Sequence, residues 1–215
     1  MSTKPELYVS LEIGSEAGPA KSVLETAMEC GPIASLLIRP RSGASLDASV
    51  AKDLVAVAQK RGVAALIADD ANLARLLRAD GVHLSWSKDI VQRCKDAREI
   101  LGERYSIGAD AGRSRDDAMS LGELGADYVA FGIPPHVEDR ATAEHRQRDL
   151  ISWWSKIFQI SCVAFDIATP GHAKDLADDG ADFICVELAS TMPPPEARDW
   201  ITAFASAVQR VGTPA

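Results

Sequence analysis

The sequence predicts a single compact (β/α)8 barrel over residues 1–215. Short apolar segments alternate with amphipathic segments along the whole chain, and there are eight of each. Three helix-to-strand junctions are almost the same, namely RADGVHLS, LGADYVAFG and DGADFICVEL. Their strands are apolar on both faces, which is typical of a parallel sheet covered by helices. A doubly wound open sheet is the alternative, but the count of eight and the lack of a G-x-G-x-x-G turn favour the barrel.

Each predicted strand is short, apolar and rich in β-branched residues. In chain order the predicted strands are residues 7–13, 33–39, 64–68, 81–85, 105–110, 127–132, 161–166 and 182–188. The helices are predicted near residues 20–30, 47–61, 71–79, 88–101, 114–124, 148–158, 171–179 and 194–210. In the second helix Val50, Leu54 and Val57 recur at helical spacing. Gly62 is expected to end that helix as a C-terminal cap.

The composition is that of an ordinary soluble protein, with 47% hydrophobic and 25% charged residues. A net charge of −8 argues against nucleic acid or an anionic membrane surface as the partner. The first residues do not resemble a signal peptide, and no apolar run reaches the roughly 20 residues of a membrane helix. Four cysteines lie far apart without C-x-x-C spacing, at Cys30, Cys94, Cys162 and Cys185. We therefore expect a reduced, cytoplasmic protein whose partner is a small molecule.

Function in such a barrel is expected where the strands end, at the mouth. The polar or aromatic residues predicted there are Glu12, Arg39, Arg41, Asp69, Asp70, Ser85, Trp86, Asp89, Asp110, Arg113, Asp166 and Glu187. Asp70 is predicted to cap the following helix. The remaining carboxylates would repel one another unless a cation joins them. Mg²⁺ and the neighbouring arginines both satisfy this condition, so a metal site and a ring of ion pairs without ligand stay open.

The two histidines His83 and His136 are predicted to have different roles, and so are the neighbouring Trp153 and Trp154. His83, within the apolar strand GVHLS, is predicted to be a buried, hydrogen-bonded core residue. His136, in the loop PPHVEDR, is a candidate acid–base group near neutral pH. At most one of Trp153 and Trp154 can face the core well, and an interface between subunits is one place for the other.

The segment from Ala65 to Glu187 resembles the thiamine phosphate synthase superfamily, which includes the thiazole tautomerases. The strongest likeness is ALIADDANLARLLRADGVHLS, followed by LGADYVAFG, GADFICVEL and LLIRPR. The resemblance implies a (β/α)8 barrel that joins a pyrimidine diphosphate to a thiazole phosphate with Mg²⁺ and releases pyrophosphate. It also implies a homodimer.

The resemblance implies a role for several mouth residues. Arg39 and Arg41 match the basic pair that the family uses on the pyrophosphate. Asp69 matches the first metal-binding aspartate. The second metal-binding aspartate falls at Lys88, or at Asp89 if one residue is inserted.

Other positions depart from the family pattern. Asp110 stands where a pyrophosphate-binding serine is expected, and Arg140 stands where the flexible loop has a lysine. Asp166 replaces a glycine whose amide binds the thiazole phosphate, and Glu187 adds a second negative charge beside it. Two carboxylates near a phosphate dianion would cost several kcal/mol, at about 4 kcal/mol per pair of charges. Phosphate binding at this point is therefore predicted to be lost.

Three hypotheses about function follow. The first is a thiamine phosphate synthase with an altered, even inactive, phosphate site. The second is a different enzyme whose ligand lacks phosphate or carries positive charge, bound by Asp110, Asp166 and Glu187 with His136 as acid–base group. A thiazole tautomerase is a variant of this hypothesis. The third is a non-catalytic binding or regulatory protein that has kept the barrel.

Overall fold

The structure of the protein is a computed structural model that describes residues 5–133 and 137–209. Eight parallel strands form a closed barrel in sequential order. Closure is visible at the first strand, which pairs with the second along Tyr8–Ile13 and with the eighth along Glu6–Glu12. The predicted barrel is confirmed, and the open-sheet alternative is wrong.

Strands and helices alternate strictly along the described chain. The strands are β1 Glu6–Ile13, β2 Ile33–Pro40, β3 Ala64–Ala68, β4 Gly81–Leu84, β5 Ser106–Asp110, β6 Tyr128–Phe131, β7 Ser161–Ala164 and β8 Phe183–Ala189. The helices are α1 Ala17–Cys30, α2 Ala48–Lys60, α3 Ala71–Leu77, α4 Ile90–Leu101, α5 Arg115–Glu123, α6 Arg140–Ile157, α7 Pro170–Asp178 and α8 Pro194–Gln209. No helix among the described residues is both long and apolar enough to cross a membrane.

One helix begins well before its predicted start at residue 148. Helix α6 begins at Arg140, because the Asp139 side chain accepts a hydrogen bond from the Thr142 backbone N–H at 3.1 Å and caps it. Its first half is polar and buries only isolated residues such as Ala143 and Gln147. A narrow buried face of this kind gives almost no hydrophobic periodicity to detect in the sequence.

Two predicted helix ends are confirmed in detail. The Asp70 carboxylate caps α3 by accepting from the Leu73 N–H at 2.8 Å. Gly62 follows α2 with a left-handed φ of 73°, and its N–H donates to the Gln59 carbonyl. Both ends follow from local backbone chemistry that needs no tertiary contact.

The tryptophan pair of α6 divides as expected. Trp154 is fully buried between the helix and the barrel wall. Trp153 is partly buried, and the Arg115 guanidinium lies 4.7 Å above its ring. The second indole is thus covered within its own chain, and the homodimer stays a prediction.

The strands separate two layers of core. Alternate residues of β1, such as Val9 and Leu11, pack outwards against the helices. Residues between them face the interior of the barrel, where the apolar filling consists of Tyr8, Leu37, Leu66, Tyr128, Ala130, Val163, Phe165 and Cys185. The same two-residue period continues upward to Ser10 and Glu12, so the inner face becomes polar at the mouth.

Candidate active site

Arg39 ties together one side of the mouth. Its Nε donates to Ser10 Oγ at 3.0 Å, and its Nη1 donates to Glu12 Oε2 at 3.2 Å. Its Nη2 lies 3.5 Å from Glu187 Oε2. The strand register explains this cluster, because Glu12 pairs with Arg39 across β1 and β2, and Ser10 pairs with Glu187 across β1 and β8. One guanidinium therefore lies between two carboxylates and reduces the repulsion between them.

Arg41 lies just beyond the end of β2 and is less constrained. Its side chain is 55% exposed, and its one ion pair, from Nε to Glu12 Oε1, is long at 3.8 Å. It lines a cleft of about 640 Å³ between the first and eighth βα loops, together with Ser190 and Thr191. This guanidinium is thus available to an anionic ligand in a way that Arg39 is not.

A pair of carboxyl groups lies on the opposite side of the mouth. Asp110 Oδ1 accepts from the Gly112 N–H at 2.7 Å, and Asp166 Oδ2 accepts from the Ile133 N–H at 2.7 Å. A Cβ on Gly132 would lie 2.5 Å from Asp166 Oδ2 and 3.1 Å from Asp110 Oδ2. Only glycine leaves room there, and the two carboxyl groups approach each other across it.

Burial makes this carboxyl pair weakly acidic. Loss of hydration raises the pKa of Asp110 to about 7, and the charge of Asp166 adds to the rise against the opposing hydrogen bonds from Gly112 and Gly132. Burial also raises the pKa of Asp166, with Glu187 contributing in the same direction. Near neutral pH the pair therefore exists partly protonated and can donate as well as accept a hydrogen bond.

Backbone conformation places Asp166 in this pair. Phe165 faces the barrel interior, so strict alternation along an extended strand would turn the next side chain outwards. Asp166 instead has a left-handed φ of 55°, which ends β7 at Ala164, two residues before the predicted end. Aspartate tolerates this conformation better than most residues. The turn brings its carboxyl group over Gly132.

Asp69 accepts three hydrogen bonds from its neighbours. Its Oδ1 accepts from the Ser85 N–H at 2.8 Å and from Arg93 Nη2 at 2.7 Å, while its Oδ2 accepts from Ser85 Oγ at 2.7 Å. Burial alone would raise the pKa of Asp69, but these hydrogen bonds outweigh it and hold the pKa below its usual value. This carboxylate is charged and paired with an arginine of α4.

Asp89 does not join Asp69. It precedes α4 without a capping hydrogen bond from its side chain, and it is fully exposed. A hydrogen bond with Ser87 lowers the pKa of its carboxyl group. Lys88 is likewise a loop residue before α4.

A chain of aromatic and imidazole groups fills the barrel below the mouth. Tyr8 Oη lies 2.9 Å from Tyr128 Oη, which lies 2.9 Å from His83 Nδ1. The His83 ring stacks on Phe165 with centroids 4.7 Å apart. Burial lowers the pKa of His83 to about 4, so its imidazole is neutral at pH 7. The predicted buried, hydrogen-bonded role of His83 is confirmed.

Trp86 provides an aromatic wall beside the carboxyl pair. It is 41% exposed, which is unusual for so large an apolar side chain. Its indole lies so close to Gly112 that a Cβ there would be 2.6 Å from Trp86 Cδ1. A flat ring could stack on this wall within reach of Asp110.

The remaining predicted residues have mixed outcomes. Arg140 is exposed at the start of α6, and its charge acts to lower the pKa of Asp166. His136 lies outside the described residues, so its acid–base role stays a prediction. Arg93, Tyr8 and Tyr128 are parts of the site that sequence reasoning missed. For Arg93 nothing in the local pattern distinguishes it from the other charged residues of α4.

Comparison with known proteins identifies the family of this barrel. Residues 8–189 match the family model described as "TMP-TENI: Thiamine monophosphate synthase". The chain belongs to the thiamine monophosphate synthase family. It is similar to a protein named thiamine-phosphate synthase from Hyphomonas neptunium, with 37% identity over 189 residues that cover 86% of this chain and 84% of the relative. A protein of the same name from Erythrobacter litoralis is 41% identical over 144 residues, covering 66% of each chain.

A solved structure supports the fold. Thiamine phosphate pyrophosphorylase from Pyrococcus furiosus superposes with a TM-score of 0.76 and covers 98% of both chains, at 22% sequence identity. At this identity the likeness shows the barrel fold alone, over nearly the whole chain. The family model confirms the resemblance found in the sequence as family membership.

Mg²⁺ is the metal that resemblance to this thiamine monophosphate synthase family implies, but the donor set as placed does not fit it. Asp69 already accepts three hydrogen bonds, one of them from a cation. Asp89 is turned to solvent. Within residues 5–133 and 137–209, no three His, Cys, Asp or Glu side chains are grouped as a set of metal ligands.

Proposed function

We propose that this protein is a transferase of the thiamine-phosphate synthase type, which joins a pyrimidine diphosphate to a thiazole phosphate and releases pyrophosphate. The observation that carries the proposal is the family match over residues 8–189, which spans the strand ends that form the mouth. The name of the Hyphomonas relative, aligned over 84% of its own length, supports the same activity. A soluble, cytoplasmic protein with small-molecule substrates belongs to the same proposal.

Arg39 in β2 and Arg41 just after it have different parts in this proposal. Arg39 is held by Ser10, Glu12 and Glu187. Its guanidinium therefore stays in place and reduces the repulsion between the two carboxylates. Arg41 is half exposed with one long ion pair, so its guanidinium can turn to the diphosphate. A charge-assisted hydrogen bond of this kind contributes about 1.5–3 kcal/mol.

The carboxyl pair changes how a phosphate would be received. Residue 166 has a backbone N–H with either glycine or aspartate, but the Asp166 carboxylate adds a charge that repels an anion. With the pKa of Asp110 at about 7, the pair carries a proton part of the time and can then donate it in a hydrogen bond to a phosphate oxygen. Binding of phosphorylated ligands should accordingly strengthen as the pH falls below about 7.

The test is a synthase assay with hydroxymethylpyrimidine diphosphate and thiazole phosphate, with and without MgCl₂, that measures thiamine phosphate directly. We expect product from the wild type, and a fall in kcat/KM of about 10- to 100-fold for Arg41→Ala. Arg104→Ala is the matched control, because Arg104 is an exposed arginine that precedes β5 at the opposite end of the barrel. No product from folded protein beside an active control enzyme would overturn the proposal.

A second candidate function is supported by the carboxyl pair itself. Asp110 and Asp166, with the Trp86 indole beside them, suit a flat ligand that is uncharged or cationic, with no phosphate at this point. Thermal stabilisation by the unphosphorylated thiazole alcohol but not by thiazole phosphate would favour this candidate. The reverse order would favour the synthase. A ligand that stabilises the protein without being turned over would indicate a binding or regulatory protein.

A further inference from the structure

The positive charge beside Asp69 at the mouth is a side chain of this protein, Arg93. We propose that the guanidinium of Arg93 occupies the position of a divalent metal at Asp69, so that this part of the mouth does not bind Mg²⁺. The proposal concerns only the contacts of these residues and does not depend on which ligand the mouth accepts.

The first observation is how completely Asp69 is satisfied. A carboxylate has about four lone-pair sites, and three of them accept hydrogen bonds here. The bond from Arg93 Nη2 is 2.7 Å long, a charge-assisted contact of full strength. The other two come from Ser85, through its backbone N–H and its hydroxyl. A metal ion bound at Asp69 Oδ1 would have to displace this guanidinium.

The second observation is how firmly Arg93 is held. Its Nη1 donates to the Ser85 carbonyl at 3.0 Å and to Ser87 Oγ at 3.1 Å, while its Nη2 reaches Asp69. Its side chain is only 28% exposed. The guanidinium therefore bridges the end of β3, the loop after β4 and the first turn of α4, and its planar fork fits all three.

The third observation is the backbone of Asp69. Its φ is 58°, in the left-handed region that residues other than glycine, asparagine and aspartate adopt rarely. Its N–H donates to the His83 carbonyl at 2.9 Å. Such a conformation persists only where neighbouring contacts hold it. Here it points the Asp69 carboxylate towards Ser85 and Arg93.

The fourth observation is that the second expected ligand is directed elsewhere. Asp89 stands one helical turn before Arg93, with the Arg93 N–H bonded to its backbone carbonyl. Its side chain is exposed to solvent. A divalent ion between Asp69 and Asp89 would lie beside the guanidinium, where like charges repel.

The experiment measures Mg²⁺ binding without using activity. Melting temperatures of the full chain are recorded with and without about 10 mM MgCl₂, against NaCl of equal ionic strength. For the wild type we expect no response specific to Mg²⁺. For Arg93→Gln, which removes the positive charge beside Asp69 Oδ1, we expect Mg²⁺ to raise the melting temperature by about 3 °C.

Matched variants make the result specific. Lys95→Gln removes one positive charge from an exposed site on the same helix, and it should leave the protein unresponsive to Mg²⁺. Arg93→Lys keeps a charge beside Asp69 and should also stay unresponsive. For any variant that unfolds at low temperature, binding of Mn²⁺ at 25 °C repeats the comparison. Binding is measured as a decrease in the electron paramagnetic resonance signal of unbound Mn²⁺.

Two results would overturn the proposal. One is a saturable Mg²⁺ response of the wild type that Asp69→Asn abolishes, which would show that the metal displaces Arg93. The other is a folded Arg93→Gln variant that gains no response to either metal. Neither result measures thiamine phosphate, so the proposal and the synthase activity can fail independently.

Discussion

Asp110→Asn should make the protein more stable at alkaline pH and leave it little changed at acidic pH. Burial and the nearby Asp166 charge raise the pKa of Asp110 from 3.8 to about 7. The folded state therefore retains a proton that the unfolded chain has released. A group of this kind stabilises the fold fully below its unfolded pKa, and the contribution is lost as the pH rises through the folded pKa. Asparagine has nearly the same shape, keeps an oxygen for the Gly112 N–H and never ionises.

The magnitude follows from the two pKa values. From pH 3.8 to about 7 the wild type loses about 4 kcal/mol of stability through this group. Between about pH 5 and about pH 8 the same relation gives about 2.5 kcal/mol. Asp110 keeps some solvent exposure as a residue, so solvent screening reduces the expected difference to about 1–2.5 kcal/mol.

The assay is urea unfolding followed by far-ultraviolet circular dichroism at both pH values. The quantity of interest is the stability of the variant minus that of the wild type at the higher pH, minus the same difference at the lower pH. Asp53→Asn is the matched control, because Asp53 is exposed on α2 and should show no such pH-dependent gain. Parallel stability curves for Asp110→Asn and the wild type would refute the reasoning about this carboxyl pair.

Two further predictions concern substitutions that remove or introduce glycine. Gly108→Ala should lower the free energy of unfolding, measured in urea, by about 3 kcal/mol, because the added methyl overlaps the Tyr128 ring. Gly18→Ala is the control; it has open space around it and should be neutral or slightly stabilising. Asp166→Gly should tighten the binding of thiazole phosphate by about 10-fold or more in calorimetry, because it removes a negative charge and restores the residue that suits a left-handed φ. It also gives up the hydrogen bond to the Ile133 N–H. Weaker binding by this variant would mean that Asp166 itself contacts the ligand.

Much of the fold could be predicted because its signals are local. The strands buried on both faces, the Asp70 cap and the glycine after α2 each follow from a few neighbouring residues. The start of α6 could not be predicted because the local signal is weak there. The polar first half of this helix buries few residues and has little hydrophobic periodicity. Which residues would reach the mouth was also predictable, because the carboxyl ends of parallel strands meet at one end of a barrel.

The sequence by itself therefore determined the barrel, its family and the set of polar residues at its mouth. The tertiary structure decided which of those residues meet. Arg93 reaches Asp69 across a strand and a helix, and Asp110 meets Asp166 across a glycine. The physical reason is that propensity and periodicity act over a few residues, whereas these contacts depend on barrel closure and on two left-handed backbone turns. Those turns, at Asp69 and Asp166, redirect carboxylates that an alternating strand would have placed elsewhere.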